Sequence, residues 1–173
     1  MSTLNVRTVL ISVAAGLTAL AVVTAVWVAV AVSKAPAYEP KITAYAHGKS
    51  VTVAPFMYCT VRMEDCRYGE TTPLRVPSGM PVQISLPTEI VESPWLVQLI
   101  YQRPNGEQVD RVLSFADYPA RARALTIDSQ PEPDLRLVGI EVQLPILARD
   151  IATDRETYIP HAAWSIVTPE DDA

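Results

Sequence analysis

The side chains in this 173-residue sequence that could do chemistry are few: two cysteines, two histidines and a scatter of carboxylates. Cys59 and Cys66 stand seven residues apart in MYCTVRMEDCRY. If residues 58–61 and 64–67 pair as a hairpin turning at Arg62-Met63, the two thiols face each other, and closing a loop of about eight residues stabilises the chain by roughly 2.5 kcal/mol. Redox catalysis favours Cys-x-x-Cys with a lowered thiol pKa. A structural zinc needs four ligands, and His47 and His161 are both distant in sequence. The preferred reading of Cys59 and Cys66 is therefore a structural disulfide.

Nucleophilic hydrolysis needs a Ser or Cys beside a base and a third group to orient that base. His47 and His161 could approach Ser50, Ser85 or Ser114, yet the sequence has no Gly-x-Ser-x-Gly elbow, and a histidine in a turn is more simply solvated. Glu64-Asp65 and Glu89/Glu92 are the carboxylates close enough in sequence for paired acid–base work on a glycan; as charge clusters in turns they read as solvated faces. Asp150, Asp154 and Glu156 come nearest to a calcium loop, without the alternating Asp-x-Asp-x-Asp-Gly order such a loop uses. Arg121 and Arg123 flank Ala122 and would share a face of a strand, either to hold an anion or to protect a sheet edge by charge. The Pro/Gly-rich segment 67–81 is either a partner surface or an ordinary loop. No catalytic, cofactor-binding or metal residue is assigned, and no cofactor is expected.

The elements that must position these groups are mostly short strands. KITAYA (41–46) and KSVTVA (49–54) alternate around His47-Gly48 and predict a first hairpin. Residues 56–62 carry the first cysteine, 67–81 read as a long loop, 83–86 as a strand and 88–94 as an acidic connection. WLVQLIYQ (95–102) and QVDRVLSFA (108–116) flank Asn105-Gly106, where both residues accept positive φ, and predict a second hairpin. Trp95, Val97, Leu99 and Tyr101 would face the core. A turn at 118–121 precedes a strand at 122–127, and 129–133 is a loop. Residues 134–144 predict a strand with Val138, Ile140 and Val142 on one face. Pro145 breaks it, 146–151 continue in a neighbouring strand, 152–161 form a polar loop and 162–168 a last strand. About eight short strands in 130 residues predict a mainly β domain, an immunoglobulin-like or fibronectin-like sandwich.

A different stretch sets the location. Thr8–Val32 holds twenty-five residues without a charge, and as a helix these reach about 37 Å, against a hydrocarbon core of about 30 Å. A cleaved signal has an apolar core of about 7–15 residues; although Ala35-Pro36-Ala37 imitates a cleavage site, the run reads as a transmembrane helix. Its small residues, from Ala15 and Gly16 to Ala29, would suit a partner helix in lipid, but read more simply as a Val/Ala-rich anchor from a GC-rich genome. All fifteen prolines and all nineteen acidic residues follow it, against thirteen of the Lys and Arg. The exported part thus carries −6 (13 − 19), which argues against nucleic acid and against a basic patch for anionic headgroups. A long domain following a first span, and a close cysteine pair suited to an oxidising compartment, favour a cytoplasmic N-terminus at the plasma membrane. The predicted organisation is residues 1–7 inside, helix 8–32, linker 33–40, an extracytoplasmic domain 41–168 and an acidic tail 169–173.

One span, then ITAYAHGKSVTVAP, the pair Tyr58-Cys59 and Asp65-Cys66, VQISLP and Pro94-Trp95: with these the chain resembles a family of uncharacterised actinobacterial single-span membrane proteins with an extracytoplasmic domain of unknown function. Eleven arginines against three lysines, with abundant Ala and Val, fit such a GC-rich source. The resemblance covers nearly the whole chain and implies a cell-envelope location in mycobacteria or their relatives, with no activity and no site residues to transfer. The resulting expectation is a non-enzymatic, integral membrane interaction module or accessory subunit with a protein partner in the membrane or cell envelope. The alternative is a domain that binds a cell-wall lipid or glycan, and a third reading is a cell-wall hydrolase or transferase.

Overall fold

The computed structural model describes residues 6–34, 38–149 and 154–169. It divides into two compact units, residues 1–38 and 39–173.

The first unit is one helix, α1 (Val6–Ser33), whose 28 residues reach about 42 Å. Its segment Thr8–Ser33 is long and apolar enough to cross a membrane. Three hydroxyls within it bond to the helix itself: Ser12 donates to Val9 O, Thr18 to Ala14 O and Ala15 O, and Thr24 to Leu20 O and Ala21 O. In a hydrocarbon medium each would otherwise lack a partner.

The described residues of the second unit form eleven strands: β1 (Ile42–Ala46), β2 (Lys49–Val53), β3 (Met57–Tyr58), β4 (Arg67–Tyr68), β5 (Thr72–Pro73), β6 (Val82–Ser85), β7 (Leu96–Gln102), β8 (Gln108–Ser114), β9 (Ala124–Ile127), β10 (Arg136–Arg149) and β11 (Glu156–Val167). One sheet has the order β2-β1-β6-β9; the other runs β4-β3-β11-β10-β7-β8, with β5 parallel to β11. The inward residues of both sheets form one core, with Ile42, Ala44, Ile84 and Leu125 from the first meeting Val97, Leu99, Val142 and Trp164 from the second. Period-two alternation produces this: β1 reads buried-exposed-buried throughout, and β7 buries Val97, Leu99 and Tyr101 beside Trp95. The chain is thus mainly β behind one apolar helix, and the other pairings are antiparallel.

Several local expectations are corrected. The β7–β8 turn does not use positive φ at both Asn105 and Gly106; only Gly106 does. Pro104 fixes the first turn residue near −65°, so the chain takes an Arg103–Gly106 turn, closed by Gly106 N donating to Arg103 O at 2.9 Å. Segment 67–81 contains β4 and β5. The acidic connection contains a one-turn helix, α2 (Thr88–Val91), because Ile90 and Val91 reach the core. Val138 is not inward: a bulge between Leu137 and Gly139 shifts the register, so that Leu137 and Ile140 are both buried.

The largest departure is at Pro145. The strand does not stop there. Pro145 faces Pro160, neither of which supplies an amide hydrogen, and a register shift follows Leu144. β10 and β11 then continue as a two-stranded ribbon, 145–149 against 156–160, beyond the last pairings with β7 at Gln143 and β3 at Ala162. Residues 156–161 are strand, not loop.

Candidate functional site

The cysteines form the disulfide Cys59–Cys66. Pairing of Met57 with Tyr68 and Tyr58 with Arg67 brings the next two residues face to face. The loop turns through Met63 and Asp65, both in the left-handed region (φ 60° and 51°). It is fastened to β11 where Cys59 N donates to His161 O at 2.7 Å and His161 Nδ1 lies 3.1 Å from Cys59 O.

The other candidates are dispersed. His47 occupies the β1–β2 turn at φ 43°, at the opposite end of the domain from His161 at the base of the ribbon. Ser50 is on edge strand β2 and Ser85 on β6, and both are exposed. Ser114 is engaged in a cap, its N and Oγ donating to Asp117 Oδ2 at 2.7 and 2.9 Å. These two hydrogen bonds, the backbone one first, hold the Asp117 carboxyl below its ordinary pKa. Glu64 and Asp65 lie in the disulfide loop, and Glu89 and Glu92 in the α2 turn. Asp154 and Glu156 each lie 3.4 Å from Arg149; Asp150 is outside the described residues. Among the described residues no group of three His, Cys, Asp or Glu converges.

Arg121 and Arg123 do not share a strand face. Strand β9 begins at Ala124; Arg121 turns at φ 62°, and Arg123 donates to Thr88 Oγ1 at 2.9 Å.

What the structure does assemble is a groove of about 520 Å³ on the outward face of the seven-stranded sheet. Its floor is the bare backbone of Gly139, opposite Ile100 on β7 and Val167 on β11. A Cβ at Gly139 would meet Ile100 Cδ1 at 3.3 Å, so glycine here leaves a notch between two aliphatic side chains. Gln102, Glu141, Ser165 and Thr71 supply a polar rim. The groove is open to solvent, unlike the enclosed pockets that bury most of a small ligand. Sequence reasoning missed it. The available signal was a glycine inside a strand, which marks a bulge or a close approach.

A mainly β domain behind a helix able to cross a membrane, with an open sheet groove and a local disulfide, defines the class. Within it, the chain belongs to the family described as "Protein of unknown function (DUF2771)", whose profile covers residues 35–169. It is 35% identical over 130 residues to "Uncharacterized protein Rv0875c" of Mycobacterium tuberculosis and to "Uncharacterized protein Mb0899c" of Mycobacterium bovis. Each match covers 74% of this chain and 76% of the relative. No solved structure matches.

Proposed function

We propose that this protein is a non-enzymatic, membrane-anchored interaction module, held at the plasma membrane by α1 with its β domain outside, and that it serves as an accessory subunit of a membrane or cell-envelope complex. The observation that carries this reading is the open groove at Gly139, where a bare backbone floor between aliphatic side chains and a hydrogen-bonding rim lie on an outward sheet face. The small residues Ala21, Ala25 and Ala29 along α1 add a surface on which a partner helix could pack closely. The test is a C-terminal tag on the full chain, gentle solubilisation of native membranes and identification of what copurifies. Val167→Arg, at an exposed edge of the groove, should release the partner without unfolding the domain. Recovery of a free monomer alone argues against the proposal.

A second reading, a lipid- or glycan-binding domain, is favoured by one feature of the same groove: Gln102, Glu141 and Ser165 are the side chains a hydroxyl-rich glycan would use. A native mass spectrum of the purified chain separates the two. Retained ligand supports the second reading; apoprotein weakens it.

A further inference from the structure

We propose that the end of the β domain carrying the β10–β11 ribbon and the disulfide loop seats on the surface of a lipid bilayer, inserting apolar and aromatic side chains at the headgroup level. This rests on the reading that α1 is retained as a membrane anchor. Three observations within the domain converge on it.

The two projections point the same way. β3 runs antiparallel to β11, with Tyr58 opposite Ala162 and Met57 opposite Ala163. Continuing from Tyr58 into the loop therefore follows β11 backwards, toward the outer ribbon. The projections also carry apolar side chains that stay exposed. Leu147 and Tyr158 are a cross-strand pair on one ribbon face, 56% and 71% exposed. Val61 and Met63, at the tip of the loop, are 66% and 38% exposed. Apolar groups displayed on two adjacent projections are unusual for a face that meets only water.

The chain also enters the domain at this end. Trp164 Nε1 donates to Pro40 O at 2.8 Å, and Glu39 pairs with Arg67, at the root of the disulfide loop, at 2.5 Å. Strand β1 starts here too: Thr43 pairs with Ser85 and Ser85 with Ala124, whereas the far end of β9 meets Tyr101, whose hydroxyl donates to Asp128 O at 2.8 Å. Residues 34–38 alone separate α1 from Glu39, and even fully extended the six steps from Ser33 to Glu39 reach about 20 Å. A span that ends at the bilayer surface thus keeps this end within reach of it and holds the projections there at high effective concentration.

The surrounding charges select the mode of contact. Arg62 stands beside Glu64 and Asp65 in sequence, and on the ribbon Arg149 and Arg155 stand against Asp154 and Glu156, with Arg149 within 3.4 Å of both. With no excess of positive charge, the attraction comes from burying Leu147, Tyr158 and Val61 rather than from anionic lipid. Tyrosine, apolar in its ring and wet at its hydroxyl, is suited to that interface.

The test uses the full chain in nanodiscs of phosphatidylcholine, with and without phosphatidylglycerol. With the native cysteines oxidised, an environment-sensitive fluorophore is placed at Leu147→Cys, and at Asn105→Cys as a control at the far end. The expected result is blue-shifted emission at 147, quenched severalfold more strongly by doxyl-labelled lipid than at 105, in both lipid mixtures and at high salt. A label at 147 that reports water as the one at 105 does, in a chain that remains in the discs, overturns this proposal and leaves the anchor reading standing. So does shielding at 147 that requires a copurified protein. A chain that fails to stay in the discs overturns the anchor reading itself.

Discussion

Reducing the Cys59–Cys66 bridge should lower the stability of the β domain by an amount fixed mainly by loop size. The sequence separation is seven, and in the chain-entropy model a loop of about eight residues is worth roughly 2.5 kcal/mol. For a domain of this size a change of 1 kcal/mol moves Tm by about 3–5 °C, so reduction should lower it by about 8–12 °C. The loss should also begin locally. β3 and β4 share only the pairs Met57–Tyr68 and Tyr58–Arg67, and the turn holds two non-glycine residues at positive φ, a conformation that surrounding structure must enforce. Thermal melts of the full chain with and without reductant test the magnitude. A Cys59→Ala/Cys66→Ser variant controls for the reductant; alanine is used at 59 because that residue is 1% exposed and a buried serine would add a desolvation cost. Hydrogen exchange should quicken in 57–69 while the β10–β7 ladder stays protected. A Tm unchanged by reduction to within about 1 °C would refute the reasoning, since the loop-closure entropy of the bridge would then be missing.

Three further outcomes follow from the core and its caps. Trp95→Ala should cost about 3–5 kcal/mol, because Trp95 is 2% exposed and its ring lies 5.6 Å from that of Tyr118; chemical denaturation measures it, and a cost under about 1 kcal/mol would place that ring outside the core. Tyr101→Phe removes the hydrogen bond to Asp128 O and should cost about 1 kcal/mol at neutral pH. Burial raises the Tyr101 pKa most, Arg111 opposes it in part, and Asp128 adds a smaller upward push. Its stabilising contribution is therefore complete below the unfolded pKa and is lost as pH rises through the raised folded value, so the alkaline fall in stability should be shallower in the Phe variant. Asp117 has the opposite sign: its folded pKa is lowered by the Ser114 hydrogen bonds, so its contribution is present above the unfolded pKa and is lost as pH falls through the folded one. The Ser114 amide resonance should shift in that acid range, and Asp117→Asn should abolish the shift.

Some elements were legible because a local pattern is enough to define them. The hairpin at His47-Gly48 and the inward face Trp95, Val97, Leu99 and Tyr101 follow from period-two alternation, which assigns a face without knowledge of the partner strand. The departures occur where a partner decides. Thr72–Pro73 reads as loop, yet β11 offers it a parallel edge. Val138 fits the alternation, yet β7 imposes a bulge beside it. Pro145 looks like a terminator, yet Pro160 stands opposite it, so the strand loses its amide bond there and still continues.

The same division holds for the candidate surfaces. The sequence alone determined an uncharged run long enough to cross a bilayer, a mainly β domain after it and a cysteine pair spaced to bridge a hairpin, because helix rise, alternation and loop closure depend on neighbours along the chain. That Gly139 floors a groove between Ile100 and Val167, and that Leu147 with Tyr158 and Val61 with Met63 project from the end where Pro40 enters, came only with the folded arrangement. Those groups come from strands far apart in sequence, and their meeting is set by sheet register and strand order, which non-local hydrogen bonds and the shared core fix together.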